Sequence, residues 1–314
     1  MATTQTTSSN YAGKEAGNIW GKAFKKADTL ANDLISFYQN VNYKLNMRLI
    51  QFADGTKVYQ CIDSGSFSTV ADGTVTMSEK VLEPIKLMLP LDICVEEYRQ
   101  TWSEDLIGES AHNPNVPADI DEAIRFEALK STAQRTDKVI WTGDNSSNAN
   151  EWDGFITLWT ADGNIIKANN GITPTGAPFD TSNVLTNFAK VSSAIPVALR
   201  RKELTWVISP DVADIYIQYL ISQGAANGLG GNANTQLVYG RYNLNVVNGL
   251  PDNTVAVYEK ENLAFGTGLL GDHNEIKSRY DDFRGKLEMI MVYNGGVQYA
   301  NSEEIVYFDS TTTA

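Results

Sequence analysis

Residues 44–82 read KLNMRLIQFADGTKVYQCIDSGSFSTVADGTVTMSEKVL, and the rest of the chain is best understood outward from them. Asp54-Gly55 falls between the strand-like runs 45–52 and 57–62, and Asp72-Gly73 between 66–70 and 74–77. An Asp-Gly dipeptide between extended runs marks a tight hairpin, because both turn positions need a residue that accepts positive φ. Large apolar side chains are sparse here, so the segment cannot build a core of its own. The expectation is a long β-ribbon that projects from the body and lies across something else.

Upstream, the first dozen residues are rich in Ser and Thr and suit a flexible arm. From Asn18 to about Tyr38, Ile19, Trp20, Ala23, Phe24, Ala27, Leu30, Ala31, Leu34, Ile35 and Tyr38 recur at steps of three and four. That spacing predicts an amphipathic helix. Downstream, VLEPIKLMLPLDIC (81–94) is apolar but punctuated by Pro84 and Pro90, which predicts an edge strand or an irregular extended ribbon. A short helix follows, from Glu96 to about Leu106.

A longer helix opens at Pro117 and ends near Trp141. Asp119, Asp121 and Glu122 favour its positive end, Arg135 and Lys138 the other, and Gly143 supplies a stop. About 24 residues at ~1.5 Å each make a rod of roughly 36 Å. Its apolar stripe is thin (Ile120, Ala123, Ile124, Ala128, Ala133, Ile140). A rod so marked behaves as a strut packed on one side. The partner expected for it is a sheet built from 83–94 and the C-terminal strands within 286–308.

The second half has α/β texture. A helix starts at Asp180-Thr181-Ser182 and must stop at Pro196; LTWVI (204–208) is a buried strand; Ser209-Pro210 caps and starts another helix. GAANGLGGNAN follows at 224–234, and strands are expected at 242–247, 254–258, 286–293 and 303–308.

Composition excludes several classes of function. Hydrophobic residues make up 42% of the chain, enough for a sizeable core. No run of eighteen apolar residues offers a membrane span, and the polar N-terminus lacks a signal peptide's apolar stretch, so a cytoplasmic protein is expected. The two cysteines, Cys61 and Cys94, suit small buried hydrophobes, and His112 and His273 stand apart from any ligand or triad pattern. The glycines around Gly228, Gly230 and Gly231 lack the Lys-Ser/Thr ending of a phosphate loop. Neighbouring acids such as Glu96/Glu97, Asp281/Asp282 and Glu303/Glu304 are what 38 acidic residues place on a solvated surface. No catalytic, metal or cofactor constellation is expected. Net charge is −13, yet residues 1–50 carry +3, leaving −16 for the remainder. A solvated helix face explains that basic stretch at least as well as a nucleic-acid contact does.

Read in order, about residues 15–310 resemble the major capsid proteins of tailed bacteriophages, the Hong Kong ninety-seven type fold. TDKVIWTGDNSSNANEWDGFITL (136–158) carries the most of the likeness, through Asp137, Gly143 and Asp153-Gly154-Phe155. WVISPDVADIY (206–216) and GRYNLNVVNGLPDNTVAVYEKENLAFG (240–266) carry the rest. The resemblance implies an α+β chain divided into an N-terminal arm and helix (1–43), an E-loop (44–82), a peripheral domain with a spine helix (83–175), an axial domain (176–262) and strands returning to the periphery (263–314). It implies a non-enzymatic subunit that forms pentamers and hexamers of an icosahedral head around double-stranded DNA, with no cofactor. Portal and separate scaffolding or decoration proteins are the implied partners.

Inter-subunit contacts are then expected at Phe67, Val70 and Met77 of the ribbon, and at Gly228 and Gly230 of a loop on the local five- or six-fold axis. Lys22, Lys25 and Lys26 are candidates to face packaged DNA. The chain departs from the founding member, which carries a long N-terminal scaffolding segment and crosslinks through a lysine near its E-loop. Only about forty residues precede the ribbon here, and only Lys57 and Lys80 are available, both nearer its base than its tip, so crosslinking is not expected. An encapsulin shell, with the same fold, is one alternative; a β-rich surface binding protein or glycosidase is another.

Overall fold

The computed structural model describes residues 8–11, 28–41, 43–53, 74–94, 131–147, 151–168, 178–224, 237–268, 276–281 and 286–309. In chain order its elements are β1 (Ser8–Tyr11), α1 (Asp28–Ala31), β2 (Ser36–Tyr38), β3 (Leu45–Ala53), β4 (Thr74–Leu82), β5 (Ile85–Cys94), α2 (helical over 131–142), α3 (Phe155–Ala161), β6 (Ile166–Lys167), α4 (Val184–Ala194), β7 (Thr205–Ile208), α5 (Pro210–Ser222), β8 (Leu237–Tyr239), β9 (Tyr242–Val246), β10 (Thr254–Tyr258), β11 (Leu263–Gly266), β12 (Ile276–Asp281), β13 (Lys286–Tyr299) and β14 (Val306–Asp309). The architecture is mixed α+β, as the sequence leads one to expect.

One sheet is organised around the long strand β13. Its order is β1-β12-β13-β11-β2, and β5 also pairs with β13. The β5–β13 ladder runs in register from Cys94 opposite Lys286 to Ile85 opposite Gly295. The proline-punctuated segment is therefore a regular strand with only this one strand partner among the described residues. Pro90, opposite Ile290, is tolerated there because an edge strand does not need every N–H.

Helix α2 packs on this sheet. Val139, Ile140 and Trp141 share one buried cluster with Phe265 of β11 and Tyr293, Val297 and Tyr299 of β13, while Ile85 and Leu87 of β5 close its margin. The thin stripe thus finds the partner expected of it over 131–142; residues 117–130 and the short helix at 96–106 lie outside the described residues.

A second sheet has the order β6-β14-β10-β7-β9-β8. Its central strands are buried on both faces, so they read as continuous apolar runs rather than alternating ones. Val207, Ala256, Tyr258 and Tyr307 point into the cluster beneath α2. Their neighbours Trp206, Ile208, Val255, Val257 and Phe308 point into another, closed by Val184, Phe188 and Val191 of α4 and Val212 and Tyr216 of α5. One sheet thereby belongs to two cores.

Residues 45–53 pair with 74–82, from Leu45 opposite Leu82 to Ala53 opposite Thr74, as the two arms of the expected ribbon; the runs 57–62 and 66–70 lie outside the described residues. Three expectations need correction. The N-terminal helix does not reach Tyr38: α1 ends at Ala31, Asp33 takes φ 54°, and Ser36–Tyr38 is a strand parallel to β11. Pairing with β11 satisfies backbone groups there that a longer helix would leave on an open sheet edge. Strand β14 does not return with β13 to the first sheet but pairs with β10 in the second, which also holds β6. Finally, Ser209 starts α5 without capping it; its hydroxyl accepts the Thr254 N–H at 3.2 Å.

Candidate assembly surfaces

Among the described residues, the ribbon β3–β4 is held at its base. Leu82 is 1% exposed and fits against Gly266, where an added Cβ would stand 2.6 Å from a Leu82 methyl carbon. Beside it the Lys80 ammonium bonds to Asp162 Oδ2 at 3.2 Å and lies 3.3 Å from the centre of the Tyr299 ring. The Tyr299 hydroxyl donates to the same carboxylate oxygen at 2.7 Å, and the Asn164 N–H donates to the other at 2.9 Å. Gln298 Nε2 reaches the Val81 carbonyl at 3.1 Å.

Burial disfavours the charged form of Lys80 and lowers its pKa, despite the bond to Asp162. Burial opposes ionisation of Asp162 too, but the Tyr299 hydroxyl, the Asn164 N–H and Lys80 together hold its carboxyl below the usual range. The fastening couples the ribbon to α3's C-terminal end and to β13, so this lysine is a structural tether.

Beyond the base, strand alternation separates two faces. Met47, Leu49 and Lys80 are partly covered on the inner face. The outer face carries Ile50 (65% exposed), Val75 (56%), Met77 (75%) and Val81 (38%), with Ile50 and Met77 directly opposite each other. Arg48 and Glu79 form a 3.7 Å ion pair on the same face. Nine paired residues at ~3.4 Å extend the ladder roughly 30 Å. A side-by-side row of exposed aliphatic residues on a two-stranded ribbon is a surface suited to being covered.

Residues 136–147 and 151–158 form a junction between α2, α3 and the N-terminal segment. Gly143 and Gly154 lie back to back: the Gly154 N–H donates to the Gly143 carbonyl at 2.8 Å. An added Cβ at 143 would be 2.2 Å from the Trp152 carbonyl oxygen, and one at 154 would be 2.6 Å from that of Trp141. Around this contact Trp141, Phe155 and Trp159 stack or tilt against one another at centroid distances of 5.5–6.0 Å. Asp137 accepts the Thr29 N–H at 3.1 Å, and Trp141 Nε1 donates to the Thr29 hydroxyl at 2.7 Å. The N-terminal segment is therefore pinned to α2, and further by Asp28–Asn248 and Asp33–Lys260 contacts.

Of the residues expected to make contacts, Met77 is described and is the most exposed of the ribbon's outer row. Phe67, Val70, Gly228, Gly230, Lys22, Lys25 and Lys26 lie outside the described residues, as do His112, His273, Cys61 and Lys57. The sequence reading missed Ile50, Val75 and Val81. Their period-two spacing is visible in the sequence, but only the register of 45–53 against 74–82 sets them beside Met77. Among the described residues no group of three His, Cys, Asp or Glu is placed to hold a metal ion, and no helix is long and apolar enough to cross a membrane.

No protein-family model and no curated protein sequence matches the chain. Solved structures do. The capsid of Ralstonia phage GP4 superposes with a TM-score of 0.53 at 10% identity, over 90% of this chain and 88% of that one. The capsid of Myoviridae phage XM1 gives 0.53 at 11%, over 89% and 90%, and the capsid of an empty GTA particle gives 0.52 at 13%, over 90% and 89%. The similarity covers about nine-tenths of both chains in each case. The chain has the fold of phage capsid proteins.

Proposed function

We propose that this chain is the major capsid protein of a tailed bacteriophage, a non-enzymatic subunit that self-assembles into an icosahedral head around double-stranded DNA. One observation carries the reading: on a capsid fold, the projecting ribbon leaves Ile50, Val75, Met77 and Val81 exposed in a row. Covering an aliphatic side chain contributes up to about 1.5–3 kcal/mol, and a repeated heterologous contact closes rings and then a shell. In this reading β3–β4 is the base of the E-loop, α2 belongs to the spine helix, and the first sheet is the core of the peripheral domain. The second sheet with α4 and α5 is the axial domain, and the loop at 224–234, with Gly228 and Gly230, meets the local symmetry axis of pentamers and hexamers.

The acidic bulk keeps subunits soluble before assembly and would repel packaged DNA, which leaves Lys22, Lys25 and Lys26 as the residues suited to face it through weak, salt-sensitive contacts. Portal and separate scaffolding or decoration proteins complete the set of partners, and the virion is the destination. Electron microscopy of the purified protein tests the proposal. Closed shells or capsomer rings are expected, and a protein that stays monomeric under all assembly conditions refutes it. Replacing the three lysines with glutamine should leave empty shells intact and alter genome retention; failed assembly would end the DNA-facing role.

A further inference from the structure

Among the described residues the methionine side chains sit in contrasting environments. Met289 is 2% exposed within the first sheet and Met47 is partly covered on the ribbon's inner face, whereas Met88 and Met77 are 62% and 75% exposed. Met88 and Met77 differ in setting. Met88 lies on β5, opposite Val292. Met77 stands in the middle of the ribbon's outer row, with Ile50 directly across the ladder and Val75 two residues along the same strand. Backbone pairing with β3 fixes it in that row while its thioether faces solvent.

An exposed thioether is open to peroxides. The Met77 sulfur would take one oxygen from hydrogen peroxide as the O–O bond breaks, and a proton passes to the departing hydroxide. The products are the sulfoxide and water; the sulfur is oxidised and the peroxide reduced. The new oxygen is a strong hydrogen-bond acceptor set in an aliphatic row. Arg48, the cation of the same face, is already paired with Glu79 at 3.7 Å. We propose that Met77 is a redox-modification site of the ribbon: its sulfoxide withholds a subunit from assembly, and reduction readmits it.

The inference rests on the shell-forming reading above. In a free subunit water satisfies the sulfoxide oxygen, so oxidation costs the fold little. Once a neighbour covers the row, that oxygen loses its water and the row's aliphatic side chains supply no donor in exchange. A change of a single atom thus falls on the contact between subunits and spares the subunit itself.

The test treats free subunits with dilute hydrogen peroxide until Met77 is partly converted, brings them to assembly conditions and separates shells from the subunits left over. Peptide mass spectrometry reads the gain of one oxygen at Met77 in each fraction. The sulfoxide should be depleted from shells by on the order of tenfold. Methionine sulfoxide reductases for both epimers should return the excluded subunits to assembly. Met77→Leu should assemble equally well before and after peroxide, which separates this site from Met88, Cys61 and Cys94. Equal sulfoxide at Met77 in shells and leftover subunits, or a Met77→Leu chain that loses assembly to peroxide as the parent does, overturns the proposal while leaving the shell reading intact. If Met77→Leu fails to assemble untreated, the comparison of fractions from the parent chain decides alone. An untreated parent that never forms shells fails at the shell reading, and the switch falls with it.

Discussion

Asp137 shows how strongly one buried acceptor can govern this fold. It is 3% exposed, and it receives the N–H and the hydroxyl of Thr29 and the backbone N–H of Gly249. Asp137→Ala leaves these buried donors without an acceptor. At about 1–3 kcal/mol per stranded group, with the hydroxyl free to rotate, the expected loss is about 2–5 kcal/mol. That is a large part of a total stability of roughly 5–15 kcal/mol. Urea unfolding of the subunit, at concentrations too low for assembly, should show the midpoint falling by on the order of 1 M.

Asp137→Asn keeps one acceptor oxygen and should lose much less. It should also remove a pH dependence of definite sign. Burial raises the Asp137 carboxyl above its usual range. Between about pH 3.9 and that raised value the folded carboxyl holds a proton that the unfolded one has released, so its contribution to stability falls as pH rises through this window. The asparagine variant should lack that component. An alanine variant within about 0.5 kcal/mol of the parent, or an asparagine variant as unstable as the alanine one, would refute the acceptor argument.

Ile50→Asp with Met77→Asp should leave subunit stability within about 0.5 kcal/mol, because both side chains are already exposed, yet abolish shells in electron micrographs. Gly154→Ala should destabilise by about 1–3 kcal/mol or more in the same urea assay, since the new methyl meets backbone rather than a side chain that can turn aside. Asp162, with its carboxyl held low, contributes stability that is present above the ordinary carboxylate value and lost as pH falls through its folded pKa. Hydrogen exchange at β3 and β4 should therefore quicken below about pH 4 in the parent, and Asp162→Asn should already show the faster exchange at pH 7. Replacing Lys80 with methionine should likewise loosen the ribbon base without disturbing α4 and α5, and unchanged exchange at β4 would contradict the tether.

Much of this protein is legible from local chemistry alone. The apolar runs at 205–208 and 254–258 become central strands because their side chains satisfy two buried faces at once, and Pro196 and Pro210 bound their helices because a proline ring cannot sit inside one. Of the thin stripe, Ala133 and Ile140 lie on the covered side of the helix over 131–142. What the sequence leaves open is which distant segments meet. The match of 45–53 with 74–82, the strand at 36–38 in place of a helical turn, and the departure of 306–309 to the second sheet all depend on partners far along the chain. The same holds for the Lys80–Asp162–Tyr299 fastening and for the row of Ile50, Val75, Met77 and Val81. Each of those residues has an ordinary identity in its own neighbourhood. Local periodicity specifies which side of an element is apolar, but register and proximity come from the lowest free energy of the whole packed chain, where a single-residue slip would turn every buried side chain to water.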